Sequence, residues 1–159
     1  MVSDSTCIGQ TDTPDETKRL AETLAACLHP GDVVLLTGDL GAGKTQFVQG
    51  VARGLGLDDQ VTSPTFNILQ SYENDVTELH HFDLYRLEDD EELDDIGYFE
   101  VLEDGGVSFV EWAEKFPEAI PDDYLQLTFI VEPDGTRTVE AAAEGDRSEM
   151  LLRAWREEL

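Results

Sequence analysis

Basic residues are scarce in this chain. Lysine and arginine number 10 against 36 aspartates and glutamates in 159 residues, a formal net charge of −26. A surface this negative repels phosphate backbones and anionic headgroups, which excludes broad, charge-driven binding to nucleic acid or to a membrane surface. No run of roughly 18 apolar residues occurs, so no transmembrane helix is expected. Cysteine is limited to Cys7 and Cys27. Their positions fit neither metal-ligand spacing nor a disulfide framework, and a reducing cytoplasm is the expected location. Met1 to Gln10 lacks a basic stretch followed by an apolar core, so no signal peptide is expected. Internal repeats and long low-complexity segments are also missing.

Hydrophobic residues make up 40% of the chain, enough to bury a core, which excludes a disordered protein despite the charge. The length predicts a single domain spanning residues 1–159. Self-repulsion at this net charge destabilises a compact state in dilute buffer. At about 1 M salt the Debye length falls to about 3 Å and the repulsion is screened. The composition therefore predicts adaptation to a high-salt cytoplasm, with the acidic residues, including the run Glu88 to Asp95, forming a solvated coat.

Hydrophobic periodicity and turn residues give an outline of the fold. Residues 1–12 are polar and read as loose chain or a short strand. Thr13-Pro14-Asp15-Glu16 has the form of a capping box with proline at the first helical position. Leu20, Leu24 and Leu28 carry the helix on to His29-Pro30-Gly31. Val33 to Thr37 is a short β-branched and leucine run expected as a buried central strand. A helix from Lys44 to Leu55 follows, with Phe47, Val48, Val51, Ala52 and Leu55 on its apolar face. Phe66–Tyr72 and Thr77–Arg86 read as an antiparallel hairpin, 89–103 as an acidic helix or helix pair, and Val107–Val110 as another apolar strand. Residues 124–131 and 136–143 flank Pro133-Asp134-Gly135 as a second hairpin. The C-terminal helix is expected to bury Leu151, Leu152 and Trp155.

The strongest chemical signal lies between the first central strand and the next helix. Gly38-Asp39-Leu40-Gly41-Ala42-Gly43-Lys44-Thr45 satisfies every fixed position of G-x-x-x-x-G-K-[ST] in the strand–loop–helix setting that this motif requires. Glycines let the backbone take positive φ and approach phosphates closely. Successive N–H groups and the helix N-terminus then form an anion nest. In such a loop the lysine, here Lys44, reaches the β- and γ-phosphates and the Thr45 hydroxyl takes Mg²⁺. The expected nucleotide-binding set is Gly38, Asp39, Leu40, Gly41, Ala42, Gly43, Lys44, Thr45 and Gln46, with Asp39 free to face solvent. The expected fold class is α/β, a P-loop NTPase-like three-layer sandwich with a mixed central sheet flanked by helices.

A second magnesium partner belongs at the end of another central strand, where ligands meet open α/β sheets. Glu111, after Val107-Ser108-Phe109-Val110, and Asp83, in His80-His81-Phe82-Asp83-Leu84-Tyr85-Arg86, are the two candidates. Strand alternation places His81, Asp83 and Tyr85 on one face and His80, Phe82, Leu84 and Arg86 on the other. His81 and Arg86 are further candidates. The hydroxyls of Thr62-Ser63-Pro64-Thr65 suit a switch-like loop that approaches the γ-phosphate or Mg²⁺.

In this order, the phosphate loop, Thr62-Ser63-Pro64-Thr65-Phe66, His81-Phe82-Asp83-Leu84-Tyr85-Arg86 and Val110-Glu111-Trp112 resemble the TsaE family. These are small P-loop ATPases of the bacterial tRNA threonylcarbamoyladenosine machinery. The likeness runs from about residue 13 to about residue 130. It implies an ATPase that hydrolyses ATP to ADP with Mg²⁺ and binds the threonylcarbamoyl transferase TsaD and its scaffold TsaB, or their host equivalents. Its turnover would support N6-threonylcarbamoylation of adenosine in tRNAs that read codons starting with A. By the same likeness Lys44 and Thr45 hold phosphates and Mg²⁺, Glu111 is the metal carboxylate, Asp83 serves hydrolysis, Trp112 lies close to the nucleotide, and Thr62 to Thr65 form the switch-like segment. The acid load exceeds what the family shows, and the segment after about residue 132 matches no assigned motif.

The expected chemistry is attack of water on the γ-phosphate, catalysed by positioning and charge neutralisation. No guanine-specifying motif is present, so ATP is the expected nucleotide. The sequence places no obvious arginine finger; Arg86 is a candidate and a partner could supply one, so turnover is expected to be slow alone and altered by partners. Two rivals share the phosphate loop. A small-molecule kinase needs a basic mobile lid, for which few cations are at hand. A nucleotide-gated binding module needs no turnover at all.

Overall fold

A computed structural model describes residues 5–39, 41–57 and 68–159 of the chain. Seven strands form one mixed sheet: β1 (Thr6–Thr11), β2 (Val33–Gly38), β3 (Leu69–Glu73), β4 (Glu78–Asp83), β5 (Val107–Glu111), β6 (Tyr124–Val131) and β7 (Arg137–Glu144). Their spatial order is β1-β7-β6-β2-β5-β4-β3. The four inner strands β6, β2, β5 and β4 run parallel. Antiparallel partners close both edges, β3 on β4 at one side and β7 then β1 at the other.

The helices are α1 (Pro14–Ala25), α2 (Lys44–Gly54), α3 (Asp90–Asp95), α4 (Tyr98–Glu103) and α5 (Asp146–Glu158). Alternation along β2 sends Val34 and Leu36 into a core shared with α1, α2 and α5, and Val33 and Leu35 into a second core with α3, α4 and Phe116. The three-layer α/β expectation therefore holds. Trp155 of α5 is fully buried, edge-on to Phe47 at 6.1 Å between ring centroids, and donates its indole N–H to Thr23 Oγ1 at 2.8 Å.

The helix start at Thr13 is as expected. Its hydroxyl accepts from Glu16 N at 3.1 Å, and Glu16 Oε2 accepts from Asp12 N at 2.6 Å. The helix ends earlier than the leucine spacing suggests. After Ala25 the chain tightens into i→i+3 bonds, Cys27 N to Leu24 O and Leu28 N to Ala25 O, because Pro30 bars a helical residue before it. Strand β4 is also shorter than the expected 77–86. Asp83 Oδ1 accepts the Tyr85 N–H at 3.0 Å, a side-chain turn that competes with the ladder. The alternation thus holds for His81 and Asp83, while Tyr85 and Arg86 lie in the turn beyond the strand. Strand β3 begins at Leu69; Phe66 and Asn67 lie outside the described residues. Thr6–Thr11 form an edge strand with a bulge between Cys7 and Gly9.

Candidate nucleotide and phosphate site

The carboxyl ends of β2, β5 and β4 lie side by side. Register pairs Leu36 with Glu111 and Glu111 with Asp83. The loop that leaves β2 therefore starts next to two carboxylates. Gly38 passes so close to β6 that a Cβ there would sit 2.7 Å from Phe129 O, so no other residue fits the spot. Gly41 and Gly43 take φ of +81° and +107°, which side chains with a Cβ disfavour. Gly43 precedes α2 with no side-chain cap, leaving the first amide groups of the helix as donors for an anion.

Lys44 is buried and folds back over the loop, its Nζ donating to Gly38 O at 2.8 Å. Its ammonium stands 3.5 Å from Glu111 Oε1 and 5.8 Å from the Trp112 ring centroid. His81, with no exposed surface, pairs its Nε2 with Glu111 Oε2 at 2.7 Å. Burial pushes the Glu111 carboxyl up, but the His81 hydrogen bond and the charges of His81 and Lys44 outweigh it, and the group titrates below its ordinary value. The result at Asp83 is the reverse. Burial raises it, the Tyr85 N–H opposes, the Glu111 charge adds to the rise, and the net is above the ordinary aspartate value despite His81 and Lys44. Two neighbouring carboxyls are thus pushed apart in proton affinity, the pattern that divides acid and base roles between like groups.

Trp112 follows Glu111 with φ +66°. Its ring lies 4.9 Å from that of Tyr85, and Lys115 donates to the Tyr85 carbonyl while standing 5.3 Å from the Tyr85 ring. Thr45 and Gln46 are half-buried in the first turn of α2 and Asp39 is exposed. Arg86 is exposed in the turn after β4. Leu40 and the Thr62-Ser63-Pro64-Thr65 segment lie outside the described residues. Lys44, Glu111, His81 and Trp112 are thus in direct contact, with Asp83 at the adjoining strand end.

The sequence reading missed Arg137. It heads β7, and its Nη2 donates to Gly41 O at 3.2 Å. Arg137, Gln46, Gly41, Gly43 and the start of α1 at Asp12, Thr13 and Thr17 line a cavity of about 90 Å³ beside the loop. No local motif marks Arg137. Only the pairing of β7 with β6 brings Arg137 to a loop 96 residues away. The donor set suits a nucleotide: amide N–H groups and Lys44 for phosphates, and the Thr45 hydroxyl with the Glu111 and Asp83 carboxylates as hard oxygens for Mg²⁺.

The sheet, the helix layers and the glycine-lysine loop together define a protein of the P-loop NTPase-like α/β class. Within that class the match is specific. The model of the threonylcarbamoyl adenosine biosynthesis protein TsaE family matches residues 11–139, and the chain belongs to that family. It is 46% identical over 138 residues to the tRNA threonylcarbamoyladenosine biosynthesis protein TsaE of Bacillus subtilis, covering 87% of this chain and 86% of the relative. The Treponema pallidum protein of the same name is 39% identical, with 80% of this chain and 93% of the relative aligned. The crystal structure of Bacillus subtilis YdiB superposes with a TM-score of 0.84 at 37% identity, over 99% of this chain and 97% of the other. No described helix is long and apolar enough to cross a membrane.

Proposed function

We propose that this chain is a Mg²⁺-dependent ATPase whose turnover supports N6-threonylcarbamoyladenosine formation in tRNA, in complex with the transferase TsaD and its scaffold TsaB. The observation that carries this reading is the buried His81–Glu111–Lys44 contact at the mouth of the Gly38–Thr45 loop, with Asp83 next to it. The loop amides and Lys44 bind and orient the β- and γ-phosphates. Thr45 and Glu111 are the residues suited to hold Mg²⁺, which when bound neutralises charge on the phosphate oxygens. His81 keeps the Glu111 carboxylate ionised and fixed in direction. Asp83, with its raised proton affinity, orients the attacking water and accepts its proton. Trp112 provides an apolar wall beside Lys44, and Arg137 adds a cation next to Gly41. With Arg86 the sole sequence-suggested finger, turnover is slow until partners dock.

The test is release of inorganic phosphate from ATP, with Mg²⁺ in concentrated KCl, by the wild type, Lys44→Ala and Asp83→Ala, with and without TsaD and TsaB. Each substitution is expected to lower the rate by about a hundredfold or more, as loss of a transition-state contact does. Equal rates in all three would overturn the ATPase reading. Phosphoryl transfer seen only when a hydroxyl-bearing metabolite is added would favour a kinase. Tight ATP binding with no turnover even beside the partners would favour a gating module.

A further inference from the structure

A second cluster of chemically capable side chains lies at the amino end of the parallel strands, opposite the carboxyl ends that carry the phosphate loop. Glu78 and His80 share one face at the start of β4, and Asp104 follows α4 on the layer that covers that face. One ligand atom from each of the three lies within 4.8 Å of the others. His80 is 7% exposed, and its Nε2 is buried without a hydrogen bond. The nearest carboxylate oxygen, Glu78 Oε2, is 3.3 Å away. The other ring nitrogen, Nδ1, is 2.8 Å from Ser71 Oγ on β3. With the proton on Nδ1, the ring donates to Ser71 and turns a bare lone pair toward two carboxylates. Three electron-pair donors then converge on one space, an arrangement that repels unless a cation lies among them.

The space itself is kept open by a glycine. A Cβ at Gly106 would sit 2.8 Å from His80 Nε2 and 3.1 Å from Glu78 Cβ, crowding the ring and the Glu78 side chain. An acceptor on Nδ1, here the Ser71 hydroxyl oxygen, would support a metal-bound imidazole by fixing the tautomer that leaves Nε2 free. We propose that Glu78, His80 and Asp104 form a binding site for a divalent transition-metal cation, with Zn²⁺ the best match. One imidazole with two carboxylates is a borderline donor set that Zn²⁺ accepts and that Mg²⁺, which takes oxygen ligands, does not favour. Ligand atoms around tetrahedral Zn²⁺ stand about 3.4 Å apart for bonds of about 2.0–2.1 Å. The His80–Glu78 pair already has that spacing, and Asp104 is exposed and able to close the remainder. The bound ion would tie the β3–β4 hairpin to the end of α4.

Calorimetric titration of the full chain with ZnCl₂, in concentrated KCl containing Mg²⁺, tests this. Saturable binding of one ion per chain is expected, with a rise in melting temperature. Asp104→Asn and His80→Gln should each weaken binding by about tenfold or more, and Gly106→Ala should abolish it. Glu103→Gln removes a like surface charge from the neighbouring position, the last residue of α4, outside the three-residue cluster, and should leave binding unchanged. Because Asp104 is exposed, its variant remains informative if the buried His80 variant fails to fold. No saturable binding would overturn the proposal in favour of a proton held between His80 and Glu78. Equal weakening by Asp104→Asn and Glu103→Gln would overturn it in favour of loose attraction to the acidic coat. Lys44→Ala is expected to bind Zn²⁺ as the wild type does; loss of binding there would place the ion at the phosphate loop.

Discussion

Trp112 holds a backbone conformation, φ +66°, that costs a side chain with a Cβ about 1–2 kcal/mol. The conformation turns the chain sharply after Glu111 and lays the indole between Tyr85 and Lys44. The other tryptophan, Trp155, is sealed in the core. Addition of Mg²⁺ and ATP should therefore change tryptophan emission in the wild type and leave Trp112→Phe silent. An equal change in both would remove Trp112 from the site. At Asp83 the proton affinity is raised in the folded state, chiefly by burial. The native carboxyl thus binds a proton more tightly than the unfolded one, so ionisation at neutral pH costs stability, and that cost disappears as pH falls through the raised value. Asp83→Asn, which keeps an acceptor for the Tyr85 N–H, should raise the melting temperature at neutral pH while it removes hydrolysis. The stability gain should shrink in mildly acidic, magnesium-free buffer. A variant less stable than the wild type at neutral pH would contradict this sign.

At the scale of elements, α1 and α2 approach through small residues. A Cβ on Gly50 would lie 2.7 Å from Ala21 Cβ and against the Lys18 carbonyl, and one on Gly54 would lie 2.6 Å from Ala25 Cβ. Glycine inside a helix is worth about 1 kcal/mol less than alanine. Overpacking costs typically about 1–3 kcal/mol, and here the first obstacle is backbone. Gly50→Ala is therefore expected to destabilise the fold by about 1–2 kcal/mol net in chemical denaturation, and a stabilised variant would show that the helices can separate. The periodic stripe of α2 and the apolar runs of β2 and β5 were legible because burial on one or both faces dictates them. The limits of β4 were not. Asp83 bonds locally to Tyr85 N, and such a turn competes with a strand without disturbing the hydrophobic pattern. The polar β1, Thr6–Thr11, was half legible, since its pairing partner β7 lies at the far end of the chain.

For the molecule as a whole, the juxtaposition of the loop, Lys44, Glu111 and Asp83 could be anticipated from the sequence because each sits at a fixed offset from a strand end, whereas Trp112 came in only through the family resemblance. Arg137 and the Glu78–His80–Asp104 cluster could not, because sheet order and layer packing, which no local pattern encodes, bring them together. The net charge of −26 predicts a molecule stabilised by screening. Its melting temperature should rise between about 0.1 M and about 2 M KCl, and a value that stays flat or falls would remove the high-salt interpretation of the acidic coat. The central claim concerns the Gly38–Thr45 loop, and calorimetry of ATP binding with Mg²⁺ in concentrated KCl tests it most directly. The account predicts saturable binding of ATP and ADP by the wild type and its loss, by about tenfold or more, in Lys44→Ala. No heat from either nucleotide, or equal affinity in the variant, would contradict it.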